Sequence, residues 1–579
     1  MPIPSDIQSR VDSWLQPPYD SETQRAVAEL VQHDQAALLD AFGSMISFGT
    51  GGMRGIMGVG TSRLNRYTIG SATQGLAHYL LTQTTKPSVF ISYDSRKNSA
   101  FFAQETACVL AGNGIRSFLT PELRPTPFVS FGCRYHRCTA AVMITASHNP
   151  PEYNGYKVYW SDGAQVVPPH DQGIMREVAK VTSPDQVSRA PADSPLITPA
   201  QADIDEAYYQ AMLPLQNFPT DNRTAGHQLK IVYSPLHGAG ITTLPKGLQR
   251  WGFSSVSLVK AQAIPDPLFP AALSPNPENP KTLQLGIDQL MTEKADLFLA
   301  SDPDADRIAA VIRNNDEPII LNGNQIAAIC LYFLCSTLTE AGTMPQNGAF
   351  VSTIVTTELL QAIAAAFHKP CLQVLTGFKY IGEKIRTWEN DPEGYQFIFG
   401  AEESLGYLYG SQVRDKDATI SACLIAEIAL QQKKQGKTLL DLLNLLYRRF
   451  GLFKEKQLSI PLGQAEMKQV ATYMTYLRAH LPKEIAGEPV ISTQDYLTQK
   501  EISSKEHKEK AFDLPQSDVV AFRLESGSKY VIRPSGTEPK IKLYGMIRKK
   551  NTDSIQEGLK DCDRQLDRQL HWLRDHYFS

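Results

Sequence analysis

Apolar and polar positions follow one another in blocks whose period changes along the chain. Before residue 45 the apolar positions Val27, Leu30, Val31, Leu38, Leu39 and Phe42 recur near helical spacing among Asp, Glu and Gln, which predicts a helical segment over residues 1–45. From Tyr67 onward short apolar runs alternate with longer amphipathic ones. Val89 to Tyr93 reads as a strand ending at Asp94, and Phe101 to Ala111 as a helix. Ala140 to Ile144 reads as a second strand, entering the polar turn Thr145-Ala146-Ser147-His148-Asn149-Pro150. A Pro-, Asp- and Ser-rich stretch from Ser183 to Pro199 closes this α/β region.

The pattern recurs. Leu229 to Tyr233 is a predicted strand, Thr243 to Trp251 a helix, and Asp296 to Ala300 a strand that stops at Asp302-Pro303-Asp304-Ala305-Asp306-Arg307. A third block opens near Asn322, where Gly323 precedes an apolar helix, and contains the predicted strands Gln373 to Leu375 and Phe397 to Phe399. In each block a polar loop follows a strand, which suggests related α/β domains, although no repeat is visible as sequence identity. The last block differs. Val519 to Leu524 and Lys529 to Ile532 flank a Ser526-Gly527 turn and read as a hairpin, followed by a strand over Ile541 to Ile547 and a charged helix, an α+β pattern. The expected organisation is a helical segment at 1–45, α/β domains at 46–200, 201–315 and 316–450, and a smaller α+β domain at 451–579.

Composition narrows the function classes. With 579 residues, the chain is too long for one ordinary domain. Lys and Arg (57) nearly balance Asp and Glu (60), so no global field exists to hold nucleic acid, and no nucleic-acid motif is found. The start MPIPSDIQSRVDSW has neither the basic beginning nor the apolar core of a signal peptide. The most apolar stretch, Ile326 to Leu338, is shorter than the roughly 18 residues that span a bilayer. The eight cysteines lack CxxC spacing, which argues for reduced thiols in a cytoplasmic protein, and without a signal peptide or a spanning stretch no membrane partner is expected.

The candidate chemistry lies on four polar loops. In the first, Ser147 at a strand end can project into a cleft and His148 can position a phosphate, although a turn capped by its own side chains has the same composition. In the second, Asp302, Asp304 and Asp306 at alternate positions can converge on one hard cation, since like charges this close repel without one. An EF-hand is excluded because Arg307 stands where that loop needs Gly and Arg313 where it needs Glu; Mg²⁺ suits the triad better than Ca²⁺. The third, Gly400-Ala401-Glu402-Glu403-Ser404-Leu405-Gly406, pairs carboxylates with a hydroxyl that can meet neighbouring sugar hydroxyls, or simply begins a helix. The fourth, Arg533-Pro534-Ser535-Gly536-Thr537-Glu538-Pro539-Lys540, offers a guanidinium, hydroxyls and exposed amides to a phosphate dianion; a tight turn with an incidental Arg is the plainer alternative.

These loops, in this order, resemble those of the α-D-phosphohexomutase superfamily, and specifically its phosphoglucomutase branch, over about Phe48 to Tyr544. TASHNP resembles the phosphoserine loop, DPDADR the metal loop, GAEES the sugar-selecting loop and RPSGTEPK the phosphate-binding loop. The resemblance implies three related α/β domains with mixed sheets and a smaller C-terminal α+β domain around a central active-site cleft. It implies that Ser147 carries the transferred phosphoryl group, and that Asp302, Asp304 and Asp306 hold Mg²⁺ together with an oxygen on Ser147. Glu402 and Ser404 correspond to the pair that grips sugar hydroxyls, and Arg533, Ser535, Gly536 and Thr537 to the site of the non-reacting phosphate. Arg54 in GTGGMRG matches an arginine near the reacting phosphate, and Lys157 in NGYKVY a lysine proposed for proton transfer. His148 and Arg307 lie in the active-site loops, and Lys379 in TGFKYIG matches a cleft lysine.

The implied activity is interconversion of glucose 1-phosphate and glucose 6-phosphate, with glucose 1,6-bisphosphate as intermediate and activator. Ala401 interrupts what many members write as GEES, and the segment before Phe48 is longer than in the smaller bacterial enzymes. Both features resemble the phosphoglucomutase/phosphopentomutase subgroup, so mannose and pentose phosphates stay open as substrates. A sugar-bisphosphate synthase and a catalytically silent phosphoprotein are the alternatives. A phosphosugar is the expected partner; the choice of monomer or dimer is left open.

Overall fold

Pro17 and Pro18 cannot continue a helical hydrogen-bond ladder and separate Ser5–Trp14 from the next two helices of the N-terminal segment, Ser21–His33 and Gln35–Phe42. Asp20 and Asp34 start the second and third by accepting the amides of Thr23 and Ala37 at 2.8 and 2.9 Å. Trp14, Val27, Leu38 and Phe42 are buried together with Tyr67, whose hydroxyl donates to Asp20 at 2.6 Å. The computed structural model describes residues 3–49, 51–462, 469–504, 509–535, 540–550 and 554–578. The chain divides into two compact units: Met1–Leu321, Phe378–Ile398 and Leu405–Gln431 form the first, and Asn322–Gly377, Phe399–Ser404 and Gln432–Ser579 the second.

In the first unit a six-stranded mixed sheet runs in the order Gly52–Ile56, Tyr153–Trp160, Ala140–Ile144, Ser88–Tyr93, Arg116–Leu119, Ile197–Pro199. Ser88–Tyr93 pairs in parallel with both neighbours, whereas Tyr153–Trp160 runs antiparallel to Ala140–Ile144. Every residue of Ala140–Ile144 is buried, as expected of a strand covered by helices on both faces. A five-stranded sheet repeats the plan in the order Glu317–Leu321, Ile308–Asn314, Leu297–Ser301, Ile231–Ser234, Val256–Leu258. Its wholly buried strand Leu297–Ser301 is parallel to Ile231–Ser234 and antiparallel to Ile308–Asn314. Ser147 and the aspartate triad therefore occupy the same topological place, the hairpin connection after a buried central strand. In the second unit Cys371–Val374 pairs in parallel with Gly348–Thr353, and the third polar loop again follows a strand, Gln396–Glu402. Each of the three connections contains a non-glycine residue in the left-handed region: Ser147 (φ 54°), Ala305 (φ 49°) and Leu405 (φ 62°). The repetition that sequence identity hides is visible in the backbone.

The second unit contains the apolar helix Gly323–Glu340 and a largely antiparallel C-terminal sheet in the order Leu452–Pro461, Lys540–Lys549, Lys529–Pro534, Val520–Leu524, Glu488–Asp495, Lys500–Ser503, Glu509–Ala511. The expected hairpin is present, turning at Gly527 with φ 89°, which favours glycine. Helix Ile555–Tyr577 buries Leu566, Leu570 and Leu573 in one cluster with Tyr530, Ile532, Ile541 and Leu543. Each such side chain contributes about 1.5–3 kcal/mol by leaving water.

Glu455, on strand Leu452–Pro461, is a cost within this unit. Burial pushes its carboxyl up to about 7, against a hydrogen bond to Thr357 and the charge of Lys454, and its Oε1 has no hydrogen-bond partner among the described residues. The folded state thus keeps a proton that the unfolded chain releases near 4.5, so this group's contribution to stability is lost as pH rises from 4.5 to about 7. Glu455→Gln should leave the melting temperature unchanged at pH 4.5 and raise it at pH 8, through a gain in stability on the order of 3 kcal/mol or less. Calorimetry at the two pH values checks this; an equal shift at both refutes it.

Candidate active site

Strand Ala140–Ile144 delivers Ser147, 3% exposed, to the floor of its loop. Ser147 Oγ donates to Asp302 Oδ2 at 2.9 Å and lies 3.1 Å from His148 Nδ1. Burial, reinforced by the charges of Arg307 and Arg54, holds the His148 imidazole well below its ordinary pKa, so the ring is neutral. Gly155 lies behind the loop, where a Cβ would stand 2.4 Å from the Thr145 carbonyl oxygen; a side chain there would push the loop away.

Strand Leu297–Ser301 delivers the three aspartates, all buried, with one carboxylate oxygen from each within 4.8 Å of the others. Asp304 Oδ2 accepts Lys157 Nζ at 2.8 Å and Thr126 Oγ1 at 2.7 Å. Asp306 Oδ2 lies 3.4 Å from Lys157 Nζ and 3.2 Å from Lys416 Nζ. Asp304 Oδ1 and Asp306 Oδ1 are buried with no hydrogen-bond partner among the described residues. Burial and the neighbouring charges of Asp304 and Asp306 push Asp302 well up, while Lys157 holds Asp304 down against its burial. Three hard oxygen donors, two buried oxygens left unsatisfied and like charges crowded together in a buried place fit a divalent cation here. The loop backbone is braced on both sides. Thr126 donates its amide to the Asp304 carbonyl at 2.8 Å, and Gly238 lies so close that a Cβ would stand 2.3 Å from Pro303 Cα.

Of the remaining sequence candidates, Arg54 lies on strand Gly52–Ile56 and donates to Asn149 Oδ1 at 2.9 Å. Lys157 lies on Tyr153–Trp160; burial pulls its pKa down, but Asp304 and Asp306 outweigh that and hold the ammonium protonated. Arg307 pairs with Glu278 at 3.6 Å and with Asp306 at 3.8 Å. Ser147, His148, the aspartate triad, Lys157 and Arg307 are thus gathered in one centre, which Arg54 joins through Asn149. Lys379 begins helix Phe378–Glu389, its ammonium 5.0 Å from the Tyr380 ring centre; burial lowers its pKa, opposed by Asp171 and Glu383. In the second unit, Glu402 ends its strand buried and accepts the Gly377 amide at 2.9 Å, while Ser404 is half-buried. Arg533 lies in Lys529–Pro534 opposite Lys542, and Ser535 donates its amide to the Lys540 carbonyl at 2.8 Å. Gly536 and Thr537 lie outside the described residues.

Thr126 and Lys416 touch the triad without having been singled out in the sequence. Thr126 in RPTP carries no local signal, and only the charged run Arg414-Asp415-Lys416-Asp417 marks the other. All eight cysteines are free thiols, and no helix among the described residues is long and apolar enough to cross a membrane.

Three stretches match family profiles described as phosphoglucomutase/phosphomannomutase alpha/beta/alpha domains I, II and III, over residues 45–185, 206–315 and 322–450. The chain is also 36% identical over 521 residues to a phosphoglucomutase of Staphylococcus haemolyticus, covering 90% of this chain and 93% of that protein. The chain belongs to the phosphoglucomutase/phosphomannomutase family. A phosphoglucomutase of Staphylococcus aureus is 35% identical over 545 residues, with 93% and 96% of the two chains covered. A putative phosphomannomutase from Thermus thermophilus shares the fold at TM-score 0.66 and 20% identity, over 92% of this chain and 99% of the other. Membership in the phosphoglucomutase/phosphomannomutase family makes the protein an isomerase, a phosphosugar mutase with three α/β/α domains and a smaller C-terminal one.

Proposed function

We propose that the protein is a cytoplasmic phosphoglucomutase that interconverts glucose 1-phosphate and glucose 6-phosphate by way of phospho-Ser147 and glucose 1,6-bisphosphate. The observation that carries this reading is the 2.9 Å contact between Ser147 Oγ and Asp302 inside a buried group of three carboxylates. Asp302, Asp304 and Asp306 would hold Mg²⁺, which when bound supplies charge neutralisation at the phosphoryl oxygens.

The chain's own groups do the rest. In the first transfer the bond between phosphorus and Ser147 Oγ breaks, a bond from a free sugar hydroxyl oxygen to phosphorus forms, and the proton lost by that hydroxyl ends on Ser147 Oγ. The reverse transfer, from the other end of the bisphosphate, restores phospho-Ser147. Neutral His148 lies beside Ser147 Oγ and can orient it without adding charge. Arg54 and Arg307 supply positive charge for phosphoryl oxygens, Arg307 beside Asp306 and Arg54 anchored on Asn149. Lys157, held protonated on Asp304, is assigned to relaying that proton: its ammonium gives one to the departing Ser147 Oγ and recovers one from the sugar hydroxyl. Glu402 and Ser404 are assigned to the sugar hydroxyls, and Arg533, Ser535, Gly536 and Thr537 to the phosphate that is not reacting. The family resemblance of their loops supports these last assignments.

Steady-state kcat/KM with glucose 1-phosphate, mannose 1-phosphate and ribose 1-phosphate tests the reading, with a trace of glucose 1,6-bisphosphate and no acyl-phosphate donor. Glucose 1-phosphate should be turned over at least as well as mannose 1-phosphate. A clear preference for ribose 1-phosphate would make the protein a phosphopentomutase, and turnover only with an acyl-phosphate donor a bisphosphate synthase.

A further inference from the structure

The Ser147 loop is gripped by an arginine to which no role has been assigned above. Asp94, where strand Ser88–Tyr93 ends, organises it. Asp94 Oδ1 accepts the Arg96 amide at 3.0 Å and the Ser99 hydroxyl at 2.7 Å. Asp94 Oδ2 accepts the Thr145 hydroxyl at 2.6 Å and lies 3.3 Å from Arg96 Nε. The Arg96 side chain is fully buried, with its guanidinium 5.1 Å from the centre of the Phe269 ring. Its Nη1 donates to the carbonyls of Pro150 and Tyr153 at 2.8 and 3.0 Å, and its Nη2 to those of Ser147 and Asn149 at 2.6 and 2.5 Å. Thr145 closes the circuit, because its Oγ1 accepts the Ser147 amide at 2.8 Å.

Four carbonyls, three from the Ser147 loop and one from the first residue of strand Tyr153–Trp160, thus converge on a single planar set of donors. The loop holds Ser147 at φ 54°, a conformation that L-residues take at a cost of about 1–2 kcal/mol and that persists only where the surroundings over-determine it. We infer that Arg96 is a positioning residue for phosphoryl transfer: by collecting these carbonyls it holds the strained turn that aims Ser147 Oγ at Asp302. Lysine cannot replace it, since an ammonium is a point donor without the fork that spans four acceptors. The inference rests on reading Ser147 as the phosphoryl carrier.

The test is Arg96→Lys, with Ser147→Ala assayed in parallel. Arg96→Lys should lower kcat about 100-fold, the size expected from a small misplacement of a reacting atom, while KM stays within about threefold. The single-turnover rate of phosphoryl transfer from phosphorylated enzyme should fall by the same factor. If Arg96→Lys does not fold, Thr145→Val takes its place, because it cuts the link between Asp94 and the Ser147 amide; a fall in kcat of about tenfold at unchanged KM is then expected. A kcat within threefold of wild type in the folded variant overturns the inference, as does a loss that merely tracks the folded fraction. Inactive Ser147→Ala beside fully active Arg96→Lys overturns this inference alone. Active Ser147→Ala removes the reading of Ser147 and this inference with it.

Discussion

Ser147→Ala should lose at least about a thousandfold in mutase rate, because both transfers then lack the group that receives and returns the phosphate. The methyl group retains the volume of the turn but removes the oxygen that lies 2.9 Å from Asp302 and 3.1 Å from His148 Nδ1. Folding should be little affected, since the wall of the site belongs to the buried strand Ala140–Ile144 and not to the hydroxyl. Wild-type protein should carry phosphate on Ser147 in at least part of the population, as intact mass and peptide mapping would show. Protein stripped of that phosphate should start with a lag that a trace of glucose 1,6-bisphosphate abolishes. Ser147→Ala should show no rescue. Near-normal turnover by the variant, with no phosphate on Ser147 in the wild type, would leave the proposed function without its centre.

The second large effect concerns the cation. Excess EDTA should abolish turnover and Mg²⁺ should restore it, because the aspartate triad brings three carboxylates together in a buried place with two oxygens unsatisfied. Asp304→Asn keeps the size of the side chain and removes one charge. It should cost at least about tenfold in kcat, since one such ligand is commonly worth more than a kcal/mol. A binding readout separates this from general damage. An ion that binds only the folded chain stabilises it, by about 2.7 kcal/mol at a hundredfold excess over Kd. Mg²⁺ should therefore raise the melting temperature of the wild type, and raise that of Asp304→Asn less. Full activity in excess EDTA would defeat the claim.

The legible part of this protein is the part whose chemistry sits on contiguous residues. Asp302-Pro303-Asp304-Ala305-Asp306-Arg307 shows its three carboxylates in the primary sequence, and the structure brings them within 4.8 Å because a strand ends immediately before them. The strand Ala140–Ile144 was readable to the residue, since five apolar residues in a row bounded by a polar turn have few other uses. Thr126, Lys416 and Arg96 were not readable. Thr126 lies 178 positions from the aspartate it touches, and Arg96 51 positions from the serine whose carbonyl it holds; neither spacing has a periodicity. Strands Leu452–Pro461 and Glu488–Asp495 were missed for another reason. Their polar residues lie on a half-exposed antiparallel sheet, where the apolar signal that marks the parallel strands is diluted.

The recurrence of one hairpin position, once with Ser147 and once with the aspartates, bears on how such a centre originates. A nucleophile and its electrostatic partner need not arise separately if a gene segment encoding a strand, a turn and a returning strand is copied in tandem. Each copy inherits a buried strand that already presents its connecting turn. Divergence then has to alter only the few residues of that turn, while the strands remain under selection for packing. Ser147 at φ 54° and Ala305 at φ 49° both bend their turns through the left-handed region, so one backbone device serves two turns of different chemistry.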